Sequence, residues 1–193
     1  MTRLLVIRHG ETDWNAAGLM QGRADRPLSS AGRDAFRAVK LPSDWVGAAC
    51  WSSPLRRAME TARLLGLDPL PEPRLIEMDW GEWEGRSLNE LRTKHGAAMA
   101  ANEARGLDFR PTGGESPRDV QHRLKPLLAS LTVPTVAVTH KGVLRALYAL
   151  ATGWRMTAKA PDKLLGAHAH AFEIAADGTP SVAELNIPLR PAP

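Results

Sequence analysis

Two short apolar runs, each halted by a histidine, constrain the fold of this chain more than any other feature. Leu4-Leu5-Val6-Ile7 is rich in strand formers and stops at Arg8-His9-Gly10, and Thr135-Val136-Ala137-Val138-Thr139 stops in the same way at His140. Continuous runs of this length fit strands buried on both faces. Helix signals lie between them. Ser29 or Ser30 opens AGRDAFRAVK, Ser53-Pro54 opens LRRAMETARLLG, Ser87 forms a capping box with Glu90, and Ser116-Pro117 opens RDVQHRLKPLLASL. Each is a cap followed by periodic apolar positions. Residues 142–152 read as an amphipathic helix, residues 46–51 as a strand ahead of the Ser53 helix, and residues 170–174 with 182–185 as a terminal hairpin around Asp177-Gly178.

This alternation predicts an α/β fold, a three-layer sandwich with a mostly parallel central sheet and helices on both faces. Such sheets bind ligands outside the carboxyl ends of their strands, where both histidines fall. With 193 residues, 44% hydrophobic and 24% charged, the chain has the size and balance of one domain spanning residues 1–193 around a substantial core. It contains no internal repeat or convincing linker, and the terminal LRPAP reads as a loose end.

Composition narrows the function. No stretch approaches the roughly 20 apolar residues of a membrane span, and the first ten residues turn charged too soon for a signal peptide, so a soluble cytoplasmic protein is expected. The single cysteine, Cys50, cannot form an internal disulfide and reads as a buried structural thiol. The net charge of +4 raises the question of a nucleic-acid partner. The basic residues are scattered, however, and apart from six Trp the chain has only one Tyr and three Phe for stacking bases. A basic pocket for a phosphorylated small molecule fits better than nucleic acid or membrane. The sequence sets no oligomeric state.

The segment Arg8-His9-Gly10-Glu11-Thr12-Asp13-Trp14-Asn15 places a cation, a nucleophile, a flexible glycine and a polar amide in one loop after a strand. A neutral imidazole can attack phosphorus, and guanidiniums can match the charge on its equatorial oxygens. Five motifs, RHGETDWN, SSPLRRAMETA, LIEMDWGEWEG, GGES and VTHKGVLRAL, occur in order and together resemble the histidine phosphatase (phosphoglycerate mutase-like) superfamily.

The resemblance implies a set of roles. His9 would be the nucleophile that becomes a phosphohistidine, with Arg8 and Arg57 as phosphate ligands; Arg57, not Arg56, stands immediately before the alanine of its motif. Glu77 would protonate the leaving oxygen and then activate water. His140 would donate a hydrogen bond to the phosphoryl group, beside the N-terminus of a helix. Asn15 would add an amide donor, and Gln21 and Gly22 would lie on the substrate side. Lys141 stands where the family usually has glycine, a departure that would alter the local backbone and the pocket charge; it is counted with the substrate-side residues, with its part in the phosphate site left open. No metal or other cofactor is implied.

The remaining candidates read as structural. His95 and His122 fall on helix surfaces, as do Arg37, Arg56 and Arg63. His168 and His170 share one strand face without a third ligand at a recognisable spacing. Asp79, Glu82 and Glu84 read as a solvated loop, and Trp80 and Trp83 as packing for it. The short interval from Glu77 to His140, with GEWEG and GGES, resembles the phosphatase branch. Hydrolysis is therefore the first reading, a phosphoglycerate mutase-type transfer the second. A non-catalytic phosphate- or phosphopeptide-binding module is disfavoured by the intact set of Arg8, His9, Arg57, Glu77 and His140.

Overall fold

The computed structural model describes residues 1–192. Strand β1 (Thr2–Arg8) leads through a short helix α1 (Asp13–Ala16) to α2 (Ser30–Arg37), and a two-residue strand β2 (Val39–Lys40) precedes β3 (Ala49–Ser52). Helix α3 (Arg56–Leu64), strand β4 (Leu70–Pro71), and helices α4 (Leu88–Glu103) and α5 (Pro117–Ala129) follow. The chain closes with β5 (Thr135–Thr139), α6 (Lys141–Thr152), β6 (His168–Ile174), β7 (Pro180–Pro188) and β8 (Arg190–Pro191).

Six strands form one sheet in the order β4-β3-β5-β1-β6-β7. The first four are mutually parallel, and β6 and β7 add on antiparallel beside β1. The sheet is thus mixed but mostly parallel, with β5 and β1 side by side at its centre. Their register pairs Arg8 with Thr139, so the next residues of both strands, His9 and His140, leave the sheet together.

Both faces are covered, as period-two geometry requires of an apolar run. Leu4, Val6 and Ala137 pack with Val120, Leu124 and Leu128 of α5 and Val143, Leu144 and Leu147 of α6. Leu5, Ile7, Val136 and Val138 point the other way, onto Phe36 of α2 and Ala58 and Ala62 of α3. Full burial of each large aliphatic side chain stabilises the fold by about 1.5–3 kcal/mol. Burial also fixes the register that holds the two histidines together, because a one-residue slip would invert every side chain.

Several expectations are corrected. The strand expected over 46–51 starts at Ala49, because residues 43–45 wind into a 3-10 turn that buries Trp45 and leaves Val46 exposed. Ser29 caps α2 and Ser87 and Ser116 form capping boxes as expected, but Ser53 does not cap α3, which starts at Arg56. The terminal hairpin is longer than expected, running through β6 and β7. The tail is not loose over its described part: Arg190 and Pro191 pair with β2, and the Ala192 amide donates to the carbonyl of Ala38. Pro193 lies outside the described residues. No helix among the described residues is long and apolar enough to cross a membrane. Cys50 is buried, and desolvation ahead of the nearby Asp68 charge pushes its thiol up to about 12.

Candidate active site

His9 is placed by three backbone-level contacts. Its amide donates to the Thr139 carbonyl at 2.9 Å, the following Gly10 amide donates to Thr61 Oγ1 at 3.0 Å, and its Nδ1 lies 2.6 Å from the Gly10 carbonyl. A carbonyl only accepts, so Nδ1 carries the proton and Nε2 presents its lone pair. Burial, reinforced by the charges of Arg57 and Arg8, pulls the His9 pKa well below 6.5, so the imidazole is neutral at pH 7.

His140 is wholly buried, its ring centroid 4.9 Å from that of His9. Its Nε2 lies 2.7 Å from Ser53 Oγ, and Arg57 Nε donates to its Nδ1 at 3.3 Å. Burial and the neighbouring His9 and Arg57 depress its pKa well below 6.5 as well. Arg57 is itself fully enclosed, and its two terminal nitrogens donate to the carbonyls of Ala24 and Gly22 at 2.8 and 2.7 Å. Arg8 enters from the end of β1, and its buried Nε has no protein partner. Burial lowers the pKa of both arginines while Glu77 opposes it; guanidiniums stay charged nonetheless.

Glu77 arrives on the loop after a 3-10 turn at residues 73–75, and Thr139 Oγ1 donates to Leu75 in that turn at 2.7 Å. The carboxylate accepts from the Met78 amide at 2.8 Å and from the Gly142 amide, in the first turn of α6, at 3.2 Å. Desolvation nonetheless dominates these bonds and raises the Glu77 pKa. Gly142 is required here by space: a Cβ at that position would lie 2.5 Å from Glu77 Oε1. The GGES segment holds the same loop, since Glu115 accepts from the Asp79 amide and pairs with Arg123 and Arg23.

A family model described as the histidine phosphatase superfamily (branch 1) matches residues 4–187. The chain belongs to this superfamily. A glucosyl-3-phosphoglycerate phosphatase of Mycolicibacterium vanbaalenii is 37% identical over 171 residues, covering 78% of this chain and 74% of that protein. A 2,3-bisphosphoglycerate-dependent phosphoglycerate mutase of Methylobacterium radiotolerans is 34% identical over 171 residues, covering 79% and 81%. Among solved structures, a mycobacterial glucosyl-3-phosphoglycerate phosphatase in complex with VO3 superposes with a TM-score of 0.80 at 30% identity, covering 97% of this chain and 100% of that one.

In this superfamily member the predicted residues converge on one cleft of about 1080 Å³, lined by Arg8, His9, Arg57 and Glu77 with Lys141 at its side. Asn15, Gln21 and Gly22 also line it. Asn15 spends its Oδ1 on the Thr12 amide in a capping box, while the Gln21 amide nitrogen donates to Thr12 Oγ1. His140 does not reach the cleft surface and acts from beneath, against His9 and Arg57. Among the described residues no group of three or more His, Cys, Asp or Glu is placed to hold a metal ion.

His95, His122, Arg37, Arg56, Arg63 and Glu82 are exposed, as expected. His170 is buried between the Leu165 carbonyl and the Asn186 amide, and His168 faces the Gly166 carbonyl, so both are structural. Trp80 and Trp83 stack and pack on Phe109. The solvated reading of Asp79 and Glu84 is corrected. Asp79 accepts from the Gly81 amide and pairs with Arg23, and Glu84 accepts from the amides of Arg23 and Ala24 at 2.6 and 3.0 Å. Sequence reading also missed Ser53 and Thr61 as supports of the site. Their signal was position, one four residues before Arg57 and the other four after it.

Proposed function

We propose that this chain is a phosphatase that hydrolyses a phosphate monoester through a phosphohistidine on His9. The observation that carries the reading is the fixed tautomer of His9, whose Nδ1–H is held by the Gly10 carbonyl, leaving the lone pair on Nε2 of a ring that lines the cleft together with Arg8 and Arg57.

In the first step His9 Nε2 forms a bond to phosphorus as the ester P–O bond breaks, and Glu77, its pKa raised by burial, gives its proton to the leaving oxygen. In the second step Glu77 takes a proton from water, the hydroxide oxygen bonds to phosphorus, and the N–P bond breaks to restore His9 and release phosphate. Arg8 and Arg57 carry the countercharge for the transferring group, work that a metal ion does elsewhere, so the reaction runs without one. His140, wholly buried and accepting from Arg57 Nε at its Nδ1, positions that guanidinium from beneath rather than donating to the phosphoryl group itself. Asn15, Gln21, Gly22 and Lys141 complete the substrate side. One catalytic domain over residues 1–193, a phosphorylated small molecule as substrate and a cytoplasmic location belong to the same proposal.

The test is release of phosphate from an aryl phosphate with chelator present, alongside acid quenching to trap phosphoenzyme. Chelator-resistant turnover and an acid-labile phosphoenzyme, both lost in His9→Ala, support the reading; turnover that survives in folded His9→Ala refutes it. The 34% identical mutase favours a second reading, phosphoryl transfer between positions of a phosphoglycerate. Trapped phosphoenzyme that passes its phosphate to glycerate acceptors faster than to water would select it.

A further inference from the structure

Two cations of this cleft lie beyond the pair, Arg8 and Arg57, that meets the phosphoryl group. Lys141 and Arg145 stand one turn apart on α6 and both line the cleft, beside Arg8. Residues four apart on a helix project from the same side, so the ammonium and the guanidinium address one region of space. Neither forms an ion pair or a side-chain hydrogen bond with a protein carboxylate among the described residues. Arg92, lining the same cleft, is by contrast paired with Glu103 at 2.7 Å. Glu77, the acid whose charge acts on Lys141, already accepts from the Met78 and Gly142 amides.

Arg145 is half-buried and lies over the Trp154 ring, 4.8 Å from its centroid, which limits its rotamers and aims its guanidinium. Lys141 loses water on its cleft side, and that desolvation, ahead of repulsion from Arg8 and Arg145, lowers its pKa. Two cations held together without a counter-ion repel one another, a cost that binding an anion would remove. The phosphoryl group cannot serve both purposes, because it is drawn to His9 Nε2, Arg8 and Arg57.

We infer that Lys141 and Arg145 form a second anion subsite that takes a carboxylate on the organic part of the substrate, making the substrate a phosphorylated carboxylic acid. One ammonium and one ring-restrained guanidinium match a monoanion with two acceptor oxygens. A second phosphate would bring a dianion to a pair with fewer donors than the His9 centre musters. The inference deepens the proposed phosphatase reading and rests on its placing the phosphoryl group at His9.

The experiment is titration calorimetry of the intact protein with 3-phosphonopropionate and with propylphosphonate, which share the phosphonate and differ in the terminal carboxylate. Wild type is expected to bind the carboxylated ligand about tenfold more tightly or better, the scale of one charge-assisted contact pair. In Lys141→Gln, a substitution at an exposed position, and in Arg145→Gln, the ratio is expected to fall toward one. Equal binding of the two ligands by wild type, no binding of the carboxylated one, or an undiminished ratio in folded Lys141→Gln/Arg145→Gln overturns the subsite. Aryl phosphate turnover, which needs no carboxylate, is measured on the same samples. Absence of turnover in wild type that still prefers the carboxylated ligand would sink the phosphatase reading and leave the subsite standing.

Discussion

Ser53 Oγ lies 2.7 Å from His140 Nε2, and this contact decides which edge of the second imidazole meets Arg57. With Nε2 held at the end of β3, Nδ1 is turned to Arg57 Nε, 3.3 Å away. Both side chains are wholly buried, so no water can replace a lost partner at low cost. Ser53 thus positions His140 from behind.

Replacing Ser53 with Ala is expected to leave a buried imidazole nitrogen unpaired, at about 1–3 kcal/mol of stability. Turnover is expected to fall roughly tenfold, since 1.4 kcal/mol of lost transition-state orientation is that factor. Thermal unfolding and steady-state kinetics on the same sample separate the two effects. A lowered Tm with unchanged kcat/KM would reduce Ser53 to a packing residue.

The pH profile follows from opposite shifts in two groups. His9 is pulled below 6.5 by burial and two arginines, so its nucleophilic nitrogen survives as pH falls through 6.5 and is lost only lower down. Glu77 is pushed above 4.5 by burial, so its proton persists as pH rises past that value and leaves only higher up. A bell in kcat/KM is expected, its acid limb below 6.5 and its basic limb above 4.5. Glu77→Gln is expected to abolish the basic limb and lower kcat by roughly 10²–10⁴-fold with an ordinary ester. A basic limb that persists in this variant would assign it to another group.

Gly142→Ala attacks the same carboxyl through space. The added methyl would stand 2.5 Å from Glu77 Oε1 and 3.2 Å from Met78 Cβ. Because the carboxylate is anchored to the Met78 and Gly142 amides, it has to leave at least one of them to make room. A stability loss of about 1–3 kcal/mol, the usual scale of overpacking, is expected together with a drop in kcat. Wild-type kcat in this variant would show that the Gly142 contact does not place the acid.

Much of this site was legible because it sits where chain pattern and chemistry coincide. The runs at β1 and β5 are apolar from end to end, which marks central strands, and the change to Arg8-His9 and His140 marks where they leave the core. Ser53 was misread because a serine before proline looks like a helix cap, and only the neighbouring β5 reveals that its hydroxyl turns to His140 instead. The tail was misread for a related reason. Arg190 and Pro191 have no apolar alternation, and their partner β2 lies about 150 residues away in sequence. Glu84 was assigned to solvent because charge in a loop carries no record of which amides it will face.

That misassigned glutamate yields a further prediction, because it anchors Arg57 at one remove. The Glu84 carboxylate accepts from the Arg23 and Ala24 amides, while the carbonyls of Gly22 and Ala24 in the same loop accept from Arg57. Gly22 lies at a positive φ of 53° against Glu84, with no room for a side chain between them. Glu84→Ala is expected to leave two amides without their acceptor and to free the loop that fixes the guanidinium. Phosphate affinity and kcat/KM should then fall by about tenfold, the worth of one charge-assisted contact. A double-mutant cycle with Arg57→Ala isolates the cause: if Glu84 acts through Arg57, removing it from the Arg57→Ala protein costs little more. Additive losses would instead show that Glu84 supports the site by another route, such as the placement of Gln21 next to Gly22.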